Sequence, residues 1–224
     1  MSVFQQLLAA TASERLALEA QPIIRDALAG RVTLAEYQRF LAEAYHHVRH
    51  TVPLLMACGA RLPARLEWLR AAVAEYIEEE IGHHEWILED LRAAGADADA
   101  VRSGRPGYAT ELMVAYAYDT IARGNPVGFF GMVLVLEGTS KALALHAAAA
   151  LKQHLGLPVQ AFRYLRSHGE LDQQHVGFYE TLVNRLDAPE DQAALIHAAR
   201  RFYRLYAEVF ASLRSEAVTW QEAA

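Results

Sequence analysis

The stretch SHGELDQQH, residues 167–175, places His168, Asp172 and His175 at i, i+4 and i+7. At about 100° per residue in a helix, the three fall within roughly 60° of one another. Tyr164, Leu165, Leu171, Val176, Tyr179 and Leu182 share that stripe, while Arg163, Arg166, Gln173, Gln174 and Glu180 occupy the other side. The triad is therefore expected to point inward. Burying three polar groups is costly unless they are paired or coordinated. A divalent metal resolves the cost, because imidazole nitrogens and a carboxylate oxygen are ordinary ligands of iron, manganese and zinc. A hydrogen-bonded His–Asp–His cluster without metal is the plainer alternative.

One helix cannot complete a metal site, and two further carboxylates stand in apolar surroundings. Glu137, in FFGMVLVLEGTSKALAL, is the one acidic residue between Pro126 and Leu155. A carboxylate on a helix that is apolar nearly all round needs a metal or a cation, and Lys141 is the cation within one turn. Glu80, in AEYIEEEIGHHEW, lies mid-stripe with Leu69, Val73, Tyr76, Ile77, Ile87, Leu88 and Leu91, whereas Glu78 and Glu85 face away and Glu79 sits at the rim. Glu80 and His83 form a Glu-x-x-His pair, a ligand arrangement of carboxylate-bridged two-metal bundles. Helical angle slightly favours His84 instead, so both histidines stay open as the inward ligand. Glu80, His83 (or His84), Glu137, His168, Asp172 and His175 are enough donors for two metal ions. Mixed oxygen and nitrogen ligands suit iron, or manganese, better than a closed structural zinc site.

Long helices must position these residues. Pro and Gly are sparse and sit between extended helical patterns, which reads as all-α, a single domain over 1–224 with about seven to eight helices. Thr33 and Glu36 spell a capping box that opens a helix to about Cys58, kinked at Pro53. Further helices are expected over Ala64–Ala94 with Gly95 as stop, Tyr108–Arg123, Pro126–Leu155 with Gly156 as stop, Pro158–Leu186, and from the Asp187–Glu190 turn to about Val218. Short connections make sequential helices antiparallel neighbours in a bundle whose sites form between facing helices. Tyr37, Phe40, Leu41, Ala44, Val48 and Val52 form the inward stripe of the first long helix, and Glu43, His47 and His50 are assigned to its opposite face as a solvated or dimer-facing patch.

The net charge of −6 argues against nucleic acid as a partner. A lone cysteine, Cys58, excludes an internal disulfide and reads as a small buried hydrophobe. No basic, apolar leader opens the chain, and the most apolar run, Phe129–Leu136, is short of the roughly 20 residues a membrane helix needs. The expectation is a cytoplasmic protein with no membrane partner.

With these residues in place, the sequence resembles the haem-oxygenase-like di-iron oxidases. The resemblance runs from about Thr33 to Leu186 and rests on Glu-x-x-His, the glutamate of VLEG, and His-x-x-x-Asp-x-x-His, in that order. It implies a haem-oxygenase-like bundle, a homodimer, two iron ions, and O2-dependent oxidation of a small molecule, with Glu80, His83, Glu137, His168, Asp172 and His175 as ligands. Tyr76, His84, Phe130, Lys141, Tyr164 and Tyr179 would line the substrate pocket, Lys141 as an anchor for an acid. The same fold includes the TenA-type aminopyrimidine hydrolases and the cofactor-free pyrroloquinoline quinone synthases (PqqC). A metal-free hydrolase, cofactor-maturation enzyme or small-molecule binding protein is therefore the alternative. The hydrolases' aspartate corresponds to Ala44 here, and no cysteine lies near Glu137. No histidine precedes His46, where haem oxygenases carry their haem ligand in the first helix.

Overall fold

A computed structural model describes residues 1–214, except the side chains of 170–174. Three short helices open the chain: α1 (Val3–Ala10), α2 (Ala12–Glu19) and α3 (Pro22–Leu28). They are followed by α4 (Leu34–Val48), α5 (Thr51–Arg61), α6 (Glu67–Glu80), α7 (His83–Ala93), α8 (Ala98–Ser103) and α9 (Tyr108–Arg123). The long helices α10 (Phe130–Leu155), α11 (Arg163–Val183) and α12 (Pro189–Ser212) complete the bundle, with 3-10 turns before α6, α10 and α11. The described residues contain no strand.

The local signals act where the sequence places them. Thr33 and Glu36 exchange side-chain and backbone hydrogen bonds as a full capping box. Gly156 ends α10 at φ +63, and Gly95 follows α7 at φ +78. Two expected long helices are each broken in two, which raises the count above seven or eight. Helix α4 stops at Arg49–His50, so Pro53 falls in the first turn of α5, where a missing N–H costs nothing, rather than at a kink. The segment 64–94 breaks at Ile81–Gly82, where Gly82 takes φ +90. The expected extension of the last helix to Val218 lies outside the described residues.

Helix α10 is the central element, packed against α11, α12 and α3. The stretch Pro126–Leu155 has the length and hydropathy of a membrane-crossing helix, although no strictly apolar run within it is long. Its Met132, Leu134, Val135, Ala144, Ala148 and Leu151 are buried against neighbouring helices, as in a core helix. Cys58 is fully buried and burial pushes its thiol up to about 12, so it is a packing residue rather than a nucleophile.

Helix α11 is fixed at its start by Asp90 of α7. The Asp90 carboxylate accepts the backbone N–H groups of Arg163 (3.1 Å) and Tyr164 (2.9 Å), two donors that the first turn of a helix leaves open. Burial pushes the Asp90 carboxyl up to about 7, against the pull of those N–H groups and the Arg163 guanidinium. The folded protein thus keeps a proton that the unfolded chain releases near pH 4. Asp90's contribution to stability is full below pH 4 and is lost as pH rises through about 7. Denaturant titrations are expected to show stability falling by on the order of 2–3 kcal/mol between pH 5 and 8 from this group. Asp90→Asn should flatten that slope; the same slope in both proteins would remove Asp90 as its source.

Candidate metal centre

Glu80, His83 and His168 bring one ligand atom each to within 4.8 Å of one another. Donors around one ion at about 2.0–2.2 Å lie within roughly 4.4 Å of each other, so the cluster needs only a small adjustment to hold a metal. The break at Gly82 creates it. Glu80 is the last residue of α6 and His83 the first of α7. The left-handed turn between them brings His83 Nδ1 to 3.1 Å from Glu80 Oε2, both side chains being buried. His83 stacks on Trp86 (4.0 Å between centroids) and meets His168 edge-on (5.0 Å). His84 points elsewhere: its Nε2 lies 3.3 Å from Glu85, and its side chain is 35% exposed. Sequence angles treated 64–94 as one helix and could not separate the two histidines; the break does.

The other half of the site joins α10 and α11. Glu137 Oε1 lies 3.8 Å from His175 Nδ1, and both side chains are largely buried. His175 Nε2 lies 3.0 Å from Glu79 Oε2, a half-exposed carboxylate that the helical angle leaves at the rim. Tyr76 presents its ring edge-on to His175 at 6.0 Å. The side chain of Asp172 lies outside the described residues. Burial raises the pKa of Glu80, but the His83 hydrogen bond and the positive potential of His168 and His175 outweigh it, leaving the carboxyl lowered and ionised. Two ionised or ionisable carboxylates and three imidazoles converging in this way form a donor set that fits iron or manganese.

The centre opens into a cavity of about 160 Å³. Glu80, Glu137 and His168 form part of its wall, with aliphatic and aromatic residues of α3, α4, α5, α10 and α12. Of the aromatics expected at a pocket, Tyr76 and Tyr164 line it. Phe130, Tyr179, His84 and Lys141 are not among the lining residues. Tyr179 instead donates its hydroxyl to the Phe130 carbonyl at 2.8 Å, pinning α11 to α10 behind the site. Lys141 is therefore not placed to anchor an acid, and the described lining residues include no Lys or Arg.

His47 faces inward. Expected on the outer face of its helix, it is 2% exposed and lines the cavity. Its ring meets Tyr206 edge-on at 5.9 Å, and burial, with the positive potential of His168, lowers its pKa to about 3, so it is neutral. The rest of that patch is also engaged: Glu43 accepts the Gly107 N–H, and His50 Nδ1 lies 3.1 Å from the Tyr118 hydroxyl.

The sequence signature of a family described as iron-containing redox enzymes, of haem-oxygenase type, matches residues 38–207. The chain belongs to this family. The match spans α4 to α12 and so includes every candidate ligand. No curated protein sequence matches it. Among solved structures, a domain of unknown function with a haem oxygenase-like fold from Shewanella denitrificans superposes with a TM-score of 0.82 at 24% identity, covering 95% of this chain and 92% of that one. A TenA homologue from P. horikoshii gives 0.78 at 10% identity, covering 95% and 98%. A haem oxygenase from Synechocystis, in complex with haem and NO, gives 0.74 at 15% identity, covering 95% and 85%. These likenesses establish the haem-oxygenase-like fold.

Proposed function

We propose that this family member is an O2-dependent oxidase or oxygenase that holds two iron ions and acts on a small organic molecule bound in the cavity. The observation that carries the reading is the convergence of Glu80, His83 and His168 within 4.8 Å, beside Glu137 and His175, at the wall of a largely apolar cavity. Family membership supports iron. Glu80, His83, Glu137, His168, Asp172 and His175 would hold the ions, and manganese would accept the same donors. Bound iron supplies the redox chemistry with O2 that no side chain here possesses. The chain's own residues do the rest. The ligand side chains sit on rigid helices that fix their directions. The apolar wall excludes water and confines the substrate against the ligands. Neutral His47 and Tyr76 border the same space and supply hydrogen bonds without adding charge.

Anaerobic titration of metal-free protein with Fe(II), followed by mixing with O2 under stopped-flow absorbance, tests the proposal. About two irons per chain are expected from the donor set, with an O2-dependent change in visible absorbance. His168→Ala and Glu137→Ala should each lose that change. A folded protein that takes up no iron would overturn it in favour of a metal-free enzyme or binding protein on this fold.

A further inference from the structure

Helix α6 ends on three consecutive carboxylates, Glu78, Glu79 and Glu80, with no basic residue in its last turn. Negative charge at a helix C-terminus opposes the helix dipole, so the helix itself gains nothing from this placement. Glu80 belongs to the metal centre, and Glu78 is exposed to solvent. Glu79 does neither of these things alone. Its side chain is half-exposed, yet its Oε2 lies 3.0 Å from Nε2 of the buried His175. A carboxylate at the rim of α6 thus reaches an inward-facing imidazole of α11.

The two nitrogens of that imidazole face different neighbours. Nδ1 lies 3.8 Å from Glu137 Oε1, inside the roughly 4.4 Å that separates two ligands of one ion. Nε2 faces Glu79. A neutral imidazole has one N–H donor and one lone pair, and an ionised carboxylate can only accept. Glu79 therefore takes the Nε2 proton, which leaves the Nδ1 lone pair on the side of Glu137, where a metal needs it. The negative charge beyond Nε2 also makes the imidazole a more basic ligand. Tyr76 packs edge-on against the same ring at 6.0 Å and is itself backed by Phe178 at 5.5 Å, which limits how the ring can turn. His83 is held differently: its Nδ1 faces Glu80, a candidate ligand, and its ring stacks on Trp86.

We infer that Glu79 is a positioning residue of the metal centre: it holds His175 as the Nε2–H tautomer and so makes Nδ1, on the Glu137 side, the atom that binds the ion. Glu79 itself stays off the metal. Its half-exposed place at the rim means that replacing it removes this hold without opening the core. The inference rests on the function proposed above for the metal, but not for the hydrogen bond that sets the tautomer.

The test is nitrogen NMR of the full chain carrying isotope-labelled histidine, once metal-free and once loaded with redox-inert Zn(II), alongside Zn(II) affinity measured by competition with a chelator. His175 is expected to carry its proton on Nε2 in the metal-free protein and to bind Zn(II) through Nδ1. Glu79→Leu should lose the tautomer preference and weaken Zn(II) binding by about 10- to 100-fold. Glu79→Gln, whose amide oxygen still accepts a hydrogen bond, should keep the tautomer and lose less affinity. Glu78→Leu removes the same charge from the same turn and should change neither, which separates a held ring from a general loss of negative charge. Zn(II) bound through His175 Nε2 would overturn the inference, since Glu79 would then be a ligand. A Glu79→Leu protein that keeps the wild-type tautomer and affinity, or a Glu78→Leu protein that loses as much, would overturn it too. Wild-type protein that takes up no Zn(II) would instead strike the proposed function. The metal-free tautomer, and its loss in Glu79→Leu, would still decide whether Glu79 holds the ring.

Discussion

Gly131→Ala is expected to lower the stability of this protein by about 3 kcal/mol, with a fall in Tm of about 6–12 °C. A Cβ at Gly131 would lie 2.5 Å from the Ala199 nitrogen and 2.9 Å from its Cα. Both are backbone atoms of α12, so no side chain can swing aside, and α10 and α12 would have to separate. The neighbouring Gly128 meets Ala198 in the same seam. The two helices approach this closely because small residues face each other, and that approach places Glu137 less than two turns further along α10. A shift here should therefore lower iron uptake as well as Tm. Gly138→Ala is the control on the same helix. An added Cβ there meets nothing within 4 Å, and replacing a mid-helix glycine should stabilise by about 0.5–1 kcal/mol. Thermal unfolding of the two variants side by side would decide the matter; equal Tm values would show that α10 and α12 tolerate a methyl group between them.

The sequence is most legible where a signal is local. The capping box at Thr33 and the stops at Gly95 and Gly156 each act through a few neighbouring backbone groups, and each is realised; Pro126 starts a 3-10 turn that runs into α10 at Phe130. Periodicity then identifies buried polar residues, and Glu80, Glu137, His168 and His175 do come together. Periodicity fails where a helix is not continuous. The pattern from 64 to 94 stays apolar through Gly82, so nothing in the angles announces a break; Gly82 itself, the one residue there suited to φ +90, was the available sign. His47 departs from the sequence expectation for a related reason. Its angle lies only about 20° from that of Phe40, an inward residue, so it sits at the edge of the buried stripe rather than opposite it. An apolar stripe also cannot distinguish core from cavity. Tyr164 and Tyr179 fall on the same face of α11, yet one lines the cavity and the other is sealed in the core. That difference depends on which helix packs over each residue, a tertiary fact.

The break at Gly82 leads to the second large effect, in which two adjacent histidines should behave as opposites. His83→Ala is expected to lower Fe(II) affinity by about 10- to 100-fold or more, the range seen even for indirect partners of a metal ligand. His84→Ala should leave it unchanged. The reason is direction rather than identity. In an unbroken helix the angle would slightly favour His84. Here Gly82 turns His83 back onto Glu80 at 3.1 Å, inside a stack with Trp86 and His168, while His84 lies against Glu85 with its side chain 35% exposed. Gly82→Ala provides the third measurement. An added Cβ meets nothing within 4 Å, so any loss comes from forcing φ +90 on a residue with a side chain, at a cost of about 1–2 kcal/mol. If the turn sets the ligand direction, Gly82→Ala should weaken iron binding while all six candidate ligands remain in the chain. Iron affinity that follows His84 instead of His83, or that survives both substitutions, would mean that α7 does not contribute to the centre through its first residue.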